Sequence, residues 1–405
     1  MMQEGMESIE GYRMSTIVGV PKESIAGETR VALTPAAVAL LIKNKVDVLI
    51  EAGAGTNAGF ADSAYTAKGS KIGSRGDVFS TSDILLQVRC SLAKDDPDFA
   101  SMKAGALMIG FCDPLGSPQV IAEAAPKGVS VLSMELIPRI TRAQAMDALS
   151  SQANIAGYKS VLMAADALPK IFPMLMTAAG TIQAARVFVI GVGVAGLQAI
   201  STARRLGAVV SAFDVRAAVK EQVQSVGAKF IELPLESGDA QDKGGYARAL
   251  TPDQQKKQAE LMAKVVAESD VVITTAAVPG KAAPKLIPAS AVERMQPGSV
   301  IVDLAAERGG NCELTMPGKT VVKHGVTIIG HTNVPATVPL HSSMMYANNL
   351  VKLLALLVNK EGALNLNLSD EVIAGSLVCH DGKVVHSRVR ELIAPAPASP
   401  ELVKV

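Results

Sequence analysis

Residues 184–216 read A-A-R-V-F-V-I-G-V-G-V-A-G-L-Q-A-I-S-T-A-R-R-L-G-A-V-V-S-A-F-D-V-R. An apolar run, Val187 to Ile190, leads into Gly191-Val-Gly193-Val-Ala-Gly196; a helix-like stretch to Leu206 follows, and a second apolar run ends on Asp214. This is the pattern of one βαβ unit. Gly191 permits the tight strand-to-helix turn, Gly193 lets a pyrophosphate approach the backbone, and Gly196 lets the helix lie close on the strand. Phosphates then sit on free helix N–H groups. A carboxylate closing the second strand takes both ribose hydroxyls of an adenosine and repels a 2′-phosphate, so Asp214 argues for NAD over NADP. An ordinary glycine turn is the competing explanation, but the strand before, the helix after and the acid beyond all occur in order.

The rest of the chain repeats this alternation. Thr16–Val20 is apolar and β-branched, Thr34-Pro35 supplies an N-cap and a first-turn proline, Ala36–Ile42 reads as a helix and Val46–Ile50 as a strand. Ile84–Val88, Ala106–Ile109 and Val129–Leu132 extend the series, with Val120–Ala125 as a helix. After Pro138 a helical pattern runs to about Leu168, and Lys229–Leu233, Val271–Thr274, Ser299–Leu304 and Val326–Ile329 complete a six-stranded second sheet. Such alternation predicts an α/β protein with two doubly wound parallel-sheet domains, separated by a cleft and joined by long helices. The expected division is a tail at 1–14; a discontinuous first domain, 15–138 plus 341–405; and a dinucleotide domain, 139–340, with an interdomain helix at about 141–168. A helix starting near His341 is expected to cross back onto the first domain. Between Glu236 and Gln258 the composition turns polar and glycine-rich. Gly244-Gly245 as hinge and Tyr246 as the single aromatic suggest a flap over the cofactor, against the alternative of an inert surface insertion.

Bulk properties narrow the function. The 405 residues are 49% apolar and carry a net charge of +1 with mixed signs throughout, which leaves no basic face for nucleic acid. Cys90, Cys112, Cys312 and Cys379 lie far apart without a C-x-x-C, and the five histidines lack ligand spacing, so no metal site is expected and the cysteines read as reduced cytosolic thiols. The first fourteen residues have no apolar core, which speaks against a signal peptide, and Met14 is an alternative start. Leu350–Val358 is interrupted by Lys352 and falls short of the ~20 residues a membrane span needs. The tail from Ala394 to Pro400 has linker composition.

Three further stretches carry a resemblance. Pro21-Lys-Glu, Thr29-Arg30-Val-Ala-Leu-Thr-Pro35 and Glu51-Ala-Gly-Ala-Gly55 resemble the start of the alanine dehydrogenase and proton-translocating transhydrogenase superfamily. Arg139-Ile-Thr-Arg-Ala-Gln144-Ala-Met-Asp147-Ala-Leu-Ser150 looks like the signature of the transhydrogenase branch, and His331-Thr-Asn333-Val-Pro335 agrees with it. The chain is thereby similar, over about residues 15–390, to the NAD(H)-binding domain of that branch. The resemblance implies that Arg139, Gln144 and Asp147, with Ser150 beside them, form a catalytic loop around the nicotinamide; caps on a helix start would explain the two charges but not Gln144. It places Val194 in the glycine turn, Asp214, Val215 and Arg216 at the adenosine ribose, Gly245 and Gln258 with Tyr246 at the flap, and Ala277 toward the adenine. It also implies NADP(H) as second substrate on a partner subunit, a membrane-spanning subunit that couples the transfer to proton translocation, a homodimer, and a position on the cytoplasmic side of a membrane, attached through its partners. An end at Val405 without a membrane run suggests a split subunit.

Hydride transfer between two nicotinamides needs no general acid or base, so proximity and exclusion of water are the catalytic task. Alanine dehydrogenases place a lysine and a histidine in the first domain's cleft, where this chain has Arg89 and Cys112, with Glu307 at the acidic position. A self-sufficient alanine dehydrogenase is the alternative, and a non-catalytic NAD-sensing module is a third reading. Arg30 occurs in both branches, with a structural ion pair as its simplest role.

Overall fold

The computed structural model describes residues 15–232 and 252–393; the flap positions Gly245 and Tyr246 lie outside them, as does the side chain of Gln258. In chain order the first strands are β1 (Ile17–Val20), β2 (Asp47–Glu51), β3 (Lys71–Gly73), β4 (Ile84–Arg89), β5 (Leu107–Phe111) and β6 (Ser130–Ser133). A short hairpin follows, β7 (Leu175–Thr177) and β8 (Gly180–Ile182). The second series is β9 (Arg186–Ile190), β10 (Val209–Phe213), β11 (Lys229–Phe230), β12 (Val271–Thr274), β13 (Val300–Asp303), β14 (Thr320–Lys323) and β15 (Val326–Ile329); β16 (Leu377–His380) and β17 (Lys383–Val384) close the chain.

Two sheets result. The first has the order β17-β16-β6-β5-β4-β1-β2-β3, the second β11-β10-β9-β12-β13-β15-β14. β1 to β6 pair in parallel, as do β9 to β13 and β15. Their central strands are apolar without alternation because both faces are covered: every residue from Val187 to Ile190 and from Val300 to Asp303 is buried. Each sheet separates two apolar cores, as a doubly wound sheet requires.

Long helices join the sheets. α1 (Ala148–Ala167) has Ala148 in the first core and Val161 and Ala164 in the second. It crosses α2 (Val194–Arg205) so closely that a Cβ at Gly157 would stand 2.1 Å from the carbonyl oxygen of Ala195. α3 (Pro339–Leu357) buries Tyr346, Leu350 and Leu354 in the first core, and β16 pairs antiparallel with β6. The chain thus returns to its first sheet after building its second.

The structure departs from the sequence reading in four places. The helix expected from about 141 starts at Ala148; residues Thr141–Met146 form a 3₁₀ turn instead. The carbonyl of Ala145 accepts from Asn349 Nδ2 at 2.9 Å and Asp147 takes ψ 87°, so the turn ends where the helix begins. The second sheet has seven strands, because β14 pairs antiparallel with β15 through a turn in which His324 and Gly325 both have positive φ. The exposed hairpin β7–β8 has no apolar face against the body and so left no periodic signal. Finally, Cys90 and Cys112 are joined as a disulfide rather than standing as free thiols; β4 and β5 are neighbours, so residues far apart in sequence meet at their carboxyl ends. Cys312 and Cys379 are free and buried.

The Gly157 contact is testable. Gly157→Val drives a side chain into the α2 backbone and should cost about 2–3 kcal/mol by overpacking, read as a lower urea midpoint at unchanged m-value.

Candidate dinucleotide site

In the second sheet the strand order reverses between β9 and β12, and ligands bind at such a switch point, outside the carboxyl ends of the strands. A cavity of about 1170 Å³ opens there. The glycine turn forms its floor. Gly191 has φ 91°, and a Cβ on it would meet Thr275 Oγ1 at 2.7 Å; a Cβ on Gly196 would stand 2.0 Å from the Gly191 carbonyl oxygen. At Gly193, the N-cap of α2, φ is −82° and nothing lies within 4 Å of a Cβ position. Only Gly193 is therefore spared a side chain for the benefit of the cavity rather than the fold. No side chain caps the N-terminus of α2, so its first N–H groups face an anion site. These features fit a dinucleotide: its pyrophosphate has a bare backbone and a helix N-terminus to rest on. Val194, 38% exposed, lines the cavity beside them.

Asp214 ends β10 and accepts the Val192 N–H at 2.7 Å and the Arg216 N–H at 2.9 Å. Arg216 also folds its guanidinium back onto the carboxylate, with Nε and Nη2 each 2.9 Å from an oxygen. Ribose hydroxyls must share Asp214 with that fork, and the negative charge that would reject a 2′-phosphate is partly balanced by it. Val215 lines the same wall.

The opposite wall is the segment Pro138–Asp147. Arg139 sits at the centre of a tight turn in which the Ile140 N–H donates to the Pro138 carbonyl at 2.9 Å. Ala143 and Met146 are buried in the first core, which leaves Gln144 exposed on the cavity side. Asp147 caps α1, accepting from the Ser150 N–H at 2.9 Å and the Ser150 hydroxyl at 2.6 Å. The capping role weighed for Asp147 is thus real, and it fixes the carboxylate at the cavity edge. Arg139, Gln144, Asp147 and Ser150 share one cavity with Gly191, Gly193, Val194, Asp214, Val215, Arg216 and Ala277. Gly196 lies behind the turn as a packing residue.

Sequence reasoning missed the residues that hold this cavity open. Asn311, fully buried, donates from Nδ2 to the carbonyls of Ala276 and Pro284 at 2.8 and 2.9 Å and accepts the Ala276 N–H at 3.1 Å. It pins the loop that carries Ala277. The Thr275 hydroxyl donates to the Gly191 carbonyl at 3.0 Å and ties that loop to the turn. A single polar residue after Gly309-Gly310 gives no periodic signal, so only the fold reveals Asn311.

The first sheet has its own switch point, between β1 and β4, where the charges are paired internally. Arg30 donates to both oxygens of Glu28 at 2.8 and 2.7 Å and to Gln152 Oε1 at 2.8 Å, and Asn333 Nδ2 reaches Glu28 at 2.9 Å. Burial opposes ionisation of Glu28, but the Arg30 guanidinium and Asn333 overcome it and hold the carboxyl below the usual range. Arg89 pairs with Glu307 at 2.6 Å and Asp113 with Arg308. Glu23 accepts the N–H groups of Val88 and Arg89 at 2.6 and 3.3 Å, yet burial, reinforced by Glu28, pushes it up to about 8. Among the described residues no group of three or more His, Cys, Asp or Glu side chains converges as a metal site, and no helix is long and apolar enough to cross a membrane.

Residues 19–156 match the N-terminal domain of the alanine dehydrogenase/PNT family, and residues 160–387 match its C-terminal domain. The chain belongs to that family. Its sequence is 46% identical over 374 residues to the first of the chains that make up NAD(P) transhydrogenase subunit alpha in Rhodospirillum rubrum, covering 91% of this chain and 97% of that one. The crystal structure of transhydrogenase from Sinorhizobium meliloti superposes with a TM-score of 0.79 at 43% identity, over 92% and 99% of the two chains. An L-alanine dehydrogenase structure shares the fold, with a TM-score of 0.77 over 93% and 99%, at only 26% identity. Within the family the chain lies in the transhydrogenase alpha-subunit branch.

Two variants check the geometry. Gly193→Val meets no protein atom, so Tm should stay within about 2 °C of the parent while NADH affinity falls at least about tenfold, measured by fluorescence titration. Glu23 holds its proton more tightly in the folded chain than in the unfolded one, so its contribution to stability is complete below its ordinary value of 4.5 and is lost as pH rises toward about 8. Glu23→Gln should therefore gain about 2–4 °C in Tm at about pH 8, with the gain vanishing near about pH 4.5.

Proposed function

We propose that this chain is the NAD(H)-binding component of a proton-translocating transhydrogenase, which presents its nicotinamide to NADP(H) held on a partner subunit. The observation that carries the reading is the cavity itself: a bare glycine turn on one wall faces Arg139, Gln144 and Asp147 on the other. When bound, NADH supplies the hydride, and the transfer needs no proton relay. The protein's role is positioning, worth up to about 7–11 kcal/mol of barrier when two reactants are held in line. The α2 N-terminus with Gly191, Gly193 and Val194 holds the pyrophosphate. Asp214, Val215 and Arg216 hold the adenosine ribose, and Ala277 faces the adenine. Asp147, braced by Ser150, and Arg139 shape the nicotinamide end, where Gln144 offers an amide that orients the carboxamide without exchanging a proton. Gly245, Tyr246 and Gln258 belong to the same proposal as flap residues. We divide the chain at about residues 138 and 341, consistent with the return of α3 and β16 to the first sheet.

The polar inventory of the first cleft supports this reading over an alanine dehydrogenase. That reaction needs a receptor for a carboxylate and a group that moves a proton. Arg30 is buried and committed to Glu28 and Gln152, Arg89 to Glu307, and Cys112 to Cys90. An assembly fits the surface as well: every residue of the β7–β8 hairpin is exposed, Met176 at 77%, which supports a second copy of the chain as its cover. The partners are that copy, an NADP(H)-binding subunit and a membrane-spanning subunit on the cytoplasmic side, to which this chain attaches peripherally.

Mixing the chain with an NADP(H)-binding transhydrogenase subunit should give hydride transfer from NADPH to an NAD analogue, followed by absorbance. Absence of transfer, together with NADH formation from alanine and NAD⁺, overturns the reading. Gln144→Asn should retain NADH binding and slow transfer on the order of 10- to 100-fold; unchanged transfer would remove Gln144 from the site.

A further inference from the structure

The carboxyl ends of β4 and β5 carry a pair of side chains that hydride transfer does not use. Cys90 and Cys112 are bonded, with their Cα atoms 4.9 Å apart. The local backbone brings them together. Pairing between β4 and β5 shifts register between Leu86 and Arg89, after which the Cys90 N–H donates to the Phe111 carbonyl at 2.8 Å. Gly110 leaves room for the sulfur: a Cβ there would stand 2.9 Å from Cys90 Sγ and 2.5 Å from the Gln87 carbonyl oxygen. Cys90 is half-buried and Cys112 is 9% exposed, at the cleft, whereas Cys312 and Cys379 are sealed in the cores at 0% and 1%.

The residues flanking the bridge are the ones that cross the cleft. Arg89 precedes Cys90 and pairs with Glu307; Asp113 follows Cys112 and pairs with Arg308. Glu307 and Arg308 are consecutive residues of a single turn after β13. Asp113 has φ 47°, and its N–H and that of Cys112 donate to the Glu135 carboxylate at 2.8 and 3.1 Å, so its position follows the end of β5. The distance between the two anchors is therefore set by the bond between Cys90 and Cys112. Partly exposed ion pairs are weak singly, so a preset spacing decides whether both form together.

We propose that Cys90–Cys112 is a reversible thiol–disulfide site that tightens the two-ion-pair clasp across the cleft when oxidised and loosens it when reduced. The oxidant is a small-molecule disulfide such as oxidised glutathione. One cysteine thiolate attacks it and releases a glutathione thiolate, and the second cysteine thiolate displaces the other. One S–S bond breaks, one forms, and the two cysteine protons pass to the two glutathiones. A dithiol reductant reverses the exchange.

The test uses the full chain in oxidising and reducing glutathione buffers. After denaturation the oxidised protein should show two of its four cysteines as free thiols, with the bridge mapped to 90 and 112, and the reduced protein all four. NADH release, followed by stopped-flow fluorescence, should be about fivefold slower or more from the oxidised form. Cys90→Ser should release at the reduced rate in both buffers; the wild-type comparison stands if that variant does not fold. Four free thiols under oxidising conditions, or two with identical release rates, overturn the proposal. The release measurement rests on the NAD(H) reading. If neither form binds NADH that reading fails by itself, and solution scattering then decides: a larger radius of gyration in the reduced form supports the clasp, and equal radii overturn it.

Discussion

The closest backbone approach between the two long helices governs the site. Gly157 of α1 lies against Ala195 of α2, within the glycine turn that the cofactor needs. α1 begins in the first core and ends in the second, so this contact sets the distance from the loop at Arg139–Asp147 to the turn at Gly191–Gly196. A side chain at 157 would push the walls apart, and interiors packed at crystalline density do not absorb such a change. Three glycines thus do different physical work within one contact region: Gly157 and Gly196 bring backbones together, while Gly193 keeps a space clear.

The local unit from Val187 to Asp214 is readable in the sequence because strand, turn, helix and strand are contiguous, and each is specified by its neighbours. The strands of both sheets are readable for the same reason, as unbroken apolar runs. What escapes such reading is what depends on distant residues. The 3₁₀ turn at Thr141–Met146 ends in register with α1 because Asn349, some 200 residues on, binds the Ala145 carbonyl. The Cys90–Cys112 bond depends on the order of strands, which composition does not encode. Asp214 is recognisable as an acid at the right spacing, but the Arg216 fork lying on it is a matter of rotamer. Short exposed elements such as β7, β8 and β14 bury too little to pattern a sequence.

The charges of the two crevices are used differently. At the first switch point Arg30, Glu28, Gln152 and Asn333 satisfy one another, and removing any one would leave a buried partner exposed to the full cost of desolvation. At the second, the N-terminus of α2 stays uncapped and a glycine faces open space. One crevice stabilises the fold and the other retains free valence. Both descend from the same doubly wound architecture, which offers a binding crevice in each half, and side chains decide which one remains available.

The clasp across the cleft has a property beyond its strength. On one side stand Arg89 and Asp113, on the other Glu307 and Arg308, so each side presents one charge of each sign. Sliding the halves by one position would bring Arg89 to Arg308 and Asp113 to Glu307, replacing two attractions by two repulsions. The pattern works as a vernier. It rewards a single alignment of the two halves and penalises its neighbours, so each closure of the cleft returns the nicotinamide wall to the same place opposite the glycine turn.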